Sequence, residues 1–200
     1  MVMQNGKKDV AKQIRCISSL EERVFRLYKS FSEKLRYPHL KALALYIAYD
    51  SLKHSMILAG VSENIAESKV TNKDCERNLG ETWQVVLDFH QEISKADDIN
   101  KKELSSFANR LSDLESSLGE EYNTLAQLRT FQFMTKEISK VYGVDMTVLK
   151  DIFDLIIRDE ENHKEILGLI SDSSIEIEHS DDLVRFREPV PWYRYGKPPG

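Results

Sequence analysis

Of the five prolines in this chain, only Pro38 comes before residue 189. Glycine is scarce as well, at eight. Proline breaks an interior helical hydrogen bond, and glycine carries the largest entropic cost of ordering. A chain that avoids both and is rich in Leu, Lys, Glu and Ser reads as a set of long α-helices.

The apolar spacing agrees. From about 8 to 35, Ile14, Ile17, Val24, Phe31 and Leu35 recur at helical intervals. Tyr37-Pro38 ends that helix, because the residue before proline disfavours the α region. Pro38 suits the first turn of a second helix, expected to reach Gly60, with Leu40, Leu43, Ile47, His54 and Ile57 along its seam. Residues 61–79 read as a polar crossover, followed by a shorter helix over about 81–95 with Trp83, Val86, Leu87, Phe89 and Ile93. A long helix is predicted from about 103 to Tyr142-Gly143, carrying Leu104, Phe107, Leu111, Leu114, Leu118, Leu125 and Leu128. Asp145 fits the N-cap of a last helix to about Ile170, with Leu149, Ile152, Ile156, His163 and Leu167 on one face. The expected division is a helical bundle over 1–171 and a tail over 172–200. In that tail, 173–179 alternates like a short extended piece, and four prolines follow among Trp192, Tyr193 and Tyr195.

Several function classes are excluded early. The 200 residues carry a net charge of −5, and no nucleic-acid motif accompanies the basic residues of the tail. No apolar run approaches the about 18 residues of a membrane span, and the N-terminus lacks a signal-peptide pattern. Two cysteines cannot make a disulfide scaffold or a cysteine-rich metal site. The expectation is a cytoplasmic protein, bound to neither nucleic acid nor membrane, with Cys16 and Cys75 as inert reduced thiols.

The second and last helices repeat one pattern. Asp50-Ser51-Leu52-Lys53-His54 precedes Ile57-Leu58 and Ser62; Asp159-Glu160-Glu161-Asn162-His163 precedes Ile166-Leu167 and Ser171. The first and third long helices share a Glu-Glu pair in an apolar stripe, Glu21-Glu22 and Glu120-Glu121. Glu21 falls between Ile17 and Val24, and Glu121 between Leu118 and Leu125. Glu160 and His163 lie between Ile156 and Leu167, and His54 between Ile47 and Leu58. Carboxylates seldom enter a core unless paired or bound to a cation. A divalent metal pair would satisfy several of them and two imidazoles together. Glu-x-x-His places both side chains on one face, about one helical turn apart.

These residues resemble those of ferritin-like proteins of the rubrerythrin and bacterioferritin kind. That family takes one Glu from each of two helices and Glu-x-x-His from each of two others. The resemblance covers roughly 12–60 and 103–171 and implies an all-α, ferritin-like four-helix bundle with a long crossover carrying an extra helix. It implies Glu21, His54, Glu121, Glu160 and His163 as metal ligands, with Tyr28 packed beside them. By the repeat, Asp50 matches Asp159, and the resemblance implies that this aspartate orients a histidine. The sequence departs from the pattern at Ser51, where the family has Glu. Asp50 is a candidate substitute, though its side chain is shorter and about 100° around the helix. The spacing leaves open two metals held unequally, one metal, or none.

The resemblance implies a non-haem centre of two iron ions, with manganese or zinc as alternatives, reacting with O₂ or peroxide. The chain has no C-x-x-C pair, so electrons would come from a separate donor protein or from Fe²⁺ itself. Thr124 stands where peroxidase-type rubrerythrins carry an extra Glu, which places a peroxidase below a ferroxidase-like or other oxidase activity. The alternative is a non-catalytic ferritin-like protein with a degenerate or single-metal site, acting through dimerisation or a partner. A homodimer is the expected assembly.

Overall fold

The structure is a computed structural model that describes residues 2–67, 69–127 and 147–176. Among these there are five helices: α1 (Val2–Lys34), α2 (Pro38–Ile65), α3 (Asn72–Lys95), α4 (Lys101–Gln127) and α5 (Thr147–Glu176). None is long and apolar enough to cross a membrane. The all-α ferritin-like bundle expected from the sequence is what is found.

Helices α1 and α2 form one hairpin and α4 and α5 the other. The sharp turn between α1 and α2 follows from Pro38 at the helix start and the extended backbone of Tyr37 before it. Serines stitch this hairpin from within. Ser18 donates to the Ser55 carbonyl at 2.9 Å, and Ser62 to the Ala11 carbonyl at 2.8 Å. Helix α3 belongs to the crossover and packs along α1, burying Trp83, Val86, Phe89 and Ile93. Arg23 lies over the Trp83 ring and Arg110 over Phe89, while Arg110 pairs with Glu92 through two hydrogen bonds.

Several boundaries differ from the sequence reading. Helix α2 passes through Gly60 to Ile65, because Val61 and Ser62 are buried against α1 and hold that turn in place. The crossover is therefore shorter than 61–79, and α3 starts at Asn72. Its first turn is fixed by a capping box, in which Thr71 and Asp74 exchange side-chain and backbone hydrogen bonds. The helix start predicted at about 81 coincides with a kink at Gly80, whose φ of 52° favours glycine. Helix α5 continues to Glu176, so the extended piece expected from Ser173 is helical for its first four residues. The predicted end of the third long helix, the Asp145 cap and the tail from 177 on lie outside the described residues.

The thiols also differ from expectation. Cys16 and Cys75 form a disulfide with their Cα atoms 4.9 Å apart. The extra turns at the start of α3 lay Cys75 directly on α1, where both residues are buried. Reading 61–79 as an irregular crossover hid this proximity.

Candidate metal centre

Halfway along the bundle, the apolar core gives way to a polar cluster. Glu21 from α1, His54 from α2, Glu115 from α4, and Glu160 and His163 from α5 are each at most 2% exposed. Each occupies an inward helical position flanked by buried apolar residues: Ile17 and Val24 around Glu21, Leu111 and Leu118 around Glu115, and Ile156 and Leu167 around the α5 pair. The helix geometry buries these groups because the same stripe also carries the core.

The ligand atoms fall into two groups that share one carboxylate. Glu21, His54 and Glu160 form one, and Glu115, Glu160 and His163 the other; within each, the atoms lie within 4.8 Å of one another. In the first group, His54 Nδ1 is 3.2 Å from Glu160 Oε1 and 4.0 Å from Glu21 Oε1. The 3.2 Å approach lacks hydrogen-bond geometry. Glu21 Oε2, His54 Nδ1 and Glu160 Oε1 are thus buried polar atoms without a hydrogen-bond partner, the only such side-chain atoms among the described residues. In the second group, His163 Nδ1 bonds Glu115 Oε2 at 3.0 Å and lies 3.6 Å from Glu160 Oε2.

Crossed contacts brace the cluster. His54 Nε2 bonds Asp159 at 3.0 Å, and His163 Nε2 lies 3.4 Å from Asp50. Each aspartate thus reaches the histidine of the opposite hairpin and fixes its ring. Lys53 donates to both aspartates, at 2.7 and 2.9 Å, and closes the cluster at the surface. Two buried tyrosines cross in the same way: Tyr122 donates to Glu21, and Tyr28 donates to Glu115. Ser51 is buried, but its hydroxyl donates to the Ile47 carbonyl of its own helix at 3.2 Å.

So many ionisable groups in one core perturb each other. Burial, then the charge of Glu160, pushes Glu21 up to about 8. Burial and Glu160 also raise Glu115 well above the carboxylate range. For Glu160 burial acts in the same direction, but the close approach of the Glu115 carboxyl and of the His163 and His54 rings outweighs it and holds this carboxyl low. Burial disfavours charge on His163, yet its bond with Glu115 and the adjacent Glu160 carboxylate push it up to about 11. The same contest raises His54. Burial and the adjacent carboxylates raise Tyr28 and Tyr122 well above their usual range, which keeps both as hydrogen-bond donors.

Of the residues singled out in the sequence, Glu21, His54, Glu160 and His163 come together, with Asp50 and Asp159 behind the histidines and Ser51 beside them. The side chain of Glu121 lies outside the described ones. The α4 carboxylate in the cluster is Glu115, which sequence reasoning missed. A signal for it exists. Glu21 and Tyr28 have the same spacing as Glu115 and Tyr122, within matching apolar stripes. The Glu-Glu doublet drew attention away from this pair.

Buried carboxylates and imidazoles converging between helix pairs are the donor arrangement from which four-helix bundles build carboxylate–histidine metal centres. The rubrerythrin family model matches residues 17–130, more than half of the chain, and the chain belongs to that family. No curated protein and no solved structure matches it.

Proposed function

We propose that the cluster is a dinuclear metal centre, with iron as its working metal, and that the protein is an oxidoreductase acting on O₂ or peroxide. One observation carries this reading: three buried polar atoms on Glu21, His54 and Glu160 converge without hydrogen-bond partners. A buried group left unpaired costs about 1–3 kcal/mol. A cation at their centre would satisfy all three at once. Oxygen and imidazole donors suit Fe²⁺, Mn²⁺ and Zn²⁺.

Glu160 would be shared between two ions, with Glu21 and His54 on one side and Glu115 and His163 on the other. Bound iron would supply one-electron redox chemistry toward O₂ or peroxide. The chain's own groups prepare the site. Asp159 accepts from His54 Nε2, which fixes the tautomer and turns Nδ1 inward. Tyr122 and Tyr28 restrain the carboxylates of Glu21 and Glu115. The surrounding leucines and isoleucines keep bulk water out. Reducing equivalents would come from a donor protein or from Fe²⁺.

Ser51 favours a second reading, a ferritin-like protein that holds one metal without turnover. Its hydroxyl is committed to Ile47, so position 51 offers no carboxylate. Adding Fe²⁺ anaerobically to metal-free protein and then admitting O₂ separates the two. Two irons per chain, oxidised faster than in buffer, is the expected outcome. One iron without accelerated oxidation supports the second reading, and none contradicts both.

A further inference from the structure

The two halves of the cluster are unequal, and the inequality has a direction. All three buried atoms without a hydrogen bond belong to the Glu21–His54–Glu160 group, where His54 Nδ1 faces Glu160 Oε1 at 3.2 Å. The His54 ring is already held by Asp159 at 3.0 Å, with Nδ1 facing the two carboxylates. A cation entering there breaks no hydrogen bond of His54. Across the cluster, His163 Nδ1 is engaged with Glu115 at 3.0 Å, and the other Glu115 oxygen accepts from Tyr28. A cation entering there must displace the His163–Glu115 bond before it can use either donor. Nor is the His163 ring held as closely from behind, since Asp50 lies 3.4 Å away. Ser51, three residues before His54, donates to the Ile47 carbonyl of its own helix and offers neither position a carboxylate.

We infer that the two positions load in a fixed order, with the first divalent ion at Glu21, His54 and Glu160 and the second, more weakly, at Glu115, Glu160 and His163. This rests on the metal-centre reading above and adds to it an assignment of the tight position. The tight position would serve as a resident site and the weak one as an exchangeable site. One charge-assisted buried hydrogen bond corresponds to about tenfold or more in affinity, which sets the least separation expected between the two steps.

The test uses the full chain and Zn²⁺, which is diamagnetic and redox-silent. Nitrogen-15 spectra of the histidine side chains are followed as Zn²⁺ is added to metal-free protein, with calorimetry alongside. In the first equivalent, the Nδ1 resonance of His54 is expected to shift while that of His163 stays in place. His163 is expected to respond only later, at about tenfold higher free metal or more. The variant His54→Gln should lose the tight calorimetric step, whereas His163→Gln should keep it; helical circular dichroism verifies that both fold. Simultaneous shifts of both rings, a first shift at His163, or a tight step that survives His54→Gln would each overturn the order while leaving the metal centre intact. Absence of any binding would remove the metal centre and the order with it.

Discussion

Ser51 and Glu160 occupy the same place in two copies of one pattern, and the difference between them governs the centre. A glutamate at position 51 would add a fourth buried carboxylate to the core. Without metal it would repel its neighbours; with metal it would supply the missing ligand. Ser51→Glu is therefore expected to lower the melting temperature of the metal-free protein and to bring the second metal step close to the first. Melting curves and calorimetry, each with and without Zn²⁺, check both halves of this expectation. The raised groups make a second prediction. Unfolded, Glu21 loses its proton near 4.5, whereas folded it keeps it up to about 8. Over that window the folded state binds more protons, so stability falls as pH rises. His163 acts the same way between 6.5 and about 11: its contribution is full below 6.5 and is lost as pH climbs through 11. His90, pushed down by partial burial and then by Arg26, acts oppositely but alone. Metal-free protein should thus be less stable at about pH 8 than at about pH 6, with each extra bound proton worth up to about 1.4 kcal/mol per pH unit. Urea titrations at the two values test the sign. Four of the five clustered residues were legible because a charged residue on an apolar seam is conspicuous. Glu115 was not, since a single Glu among Leu114, Ser116 and Ser117 looks like an ordinary surface position until Tyr122 is paired with Tyr28.

At the scale of elements, helices were legible wherever an apolar stripe and a breaker coincided. Tyr37-Pro38 marked the α1–α2 turn for steric reasons that hold in any context. Gly60 misled, because tertiary burial of Val61 and Ser62 outweighs the propensity of one glycine. The start of α3 was missed because Asn72–Leu79 buries only Cys75 and Leu79, too few residues to show a period. That missed segment carries the Cys16–Cys75 disulfide, which ties the crossover helix to α1 across 59 residues of sequence. Closing so long a loop restricts the unfolded chain, a stabilisation of about 2–4 kcal/mol in comparable cases. Reduction, or a Cys16→Ser/Cys75→Ser variant, should lower the urea midpoint accordingly. The α1–α2 and α4–α5 hairpins do not depend on this link, so helical content in the absence of urea should stay nearly unchanged. A midpoint indifferent to reductant would show that the link contributes nothing.

Over the whole molecule, two hairpins face each other in an approximately two-fold arrangement. Their matching contacts are crossed: Asp50 to His163 and Asp159 to His54, Tyr28 to Glu115 and Tyr122 to Glu21. Every one of these links joins one hairpin to the other. The polar cluster therefore contributes to the pairing of the hairpins and is also the place where the bundle is least content without a cation. Metal and fold are coupled in this account, and a bound ion should stabilise the native state by mass action. The most direct test is anomalous X-ray diffraction from crystals of metal-free protein soaked in a limiting amount of Zn²⁺. One dominant peak is expected in the core, within bonding distance of Glu21, His54 and Glu160. Metal found only on the surface, or first beside Glu115 and His163, would contradict it.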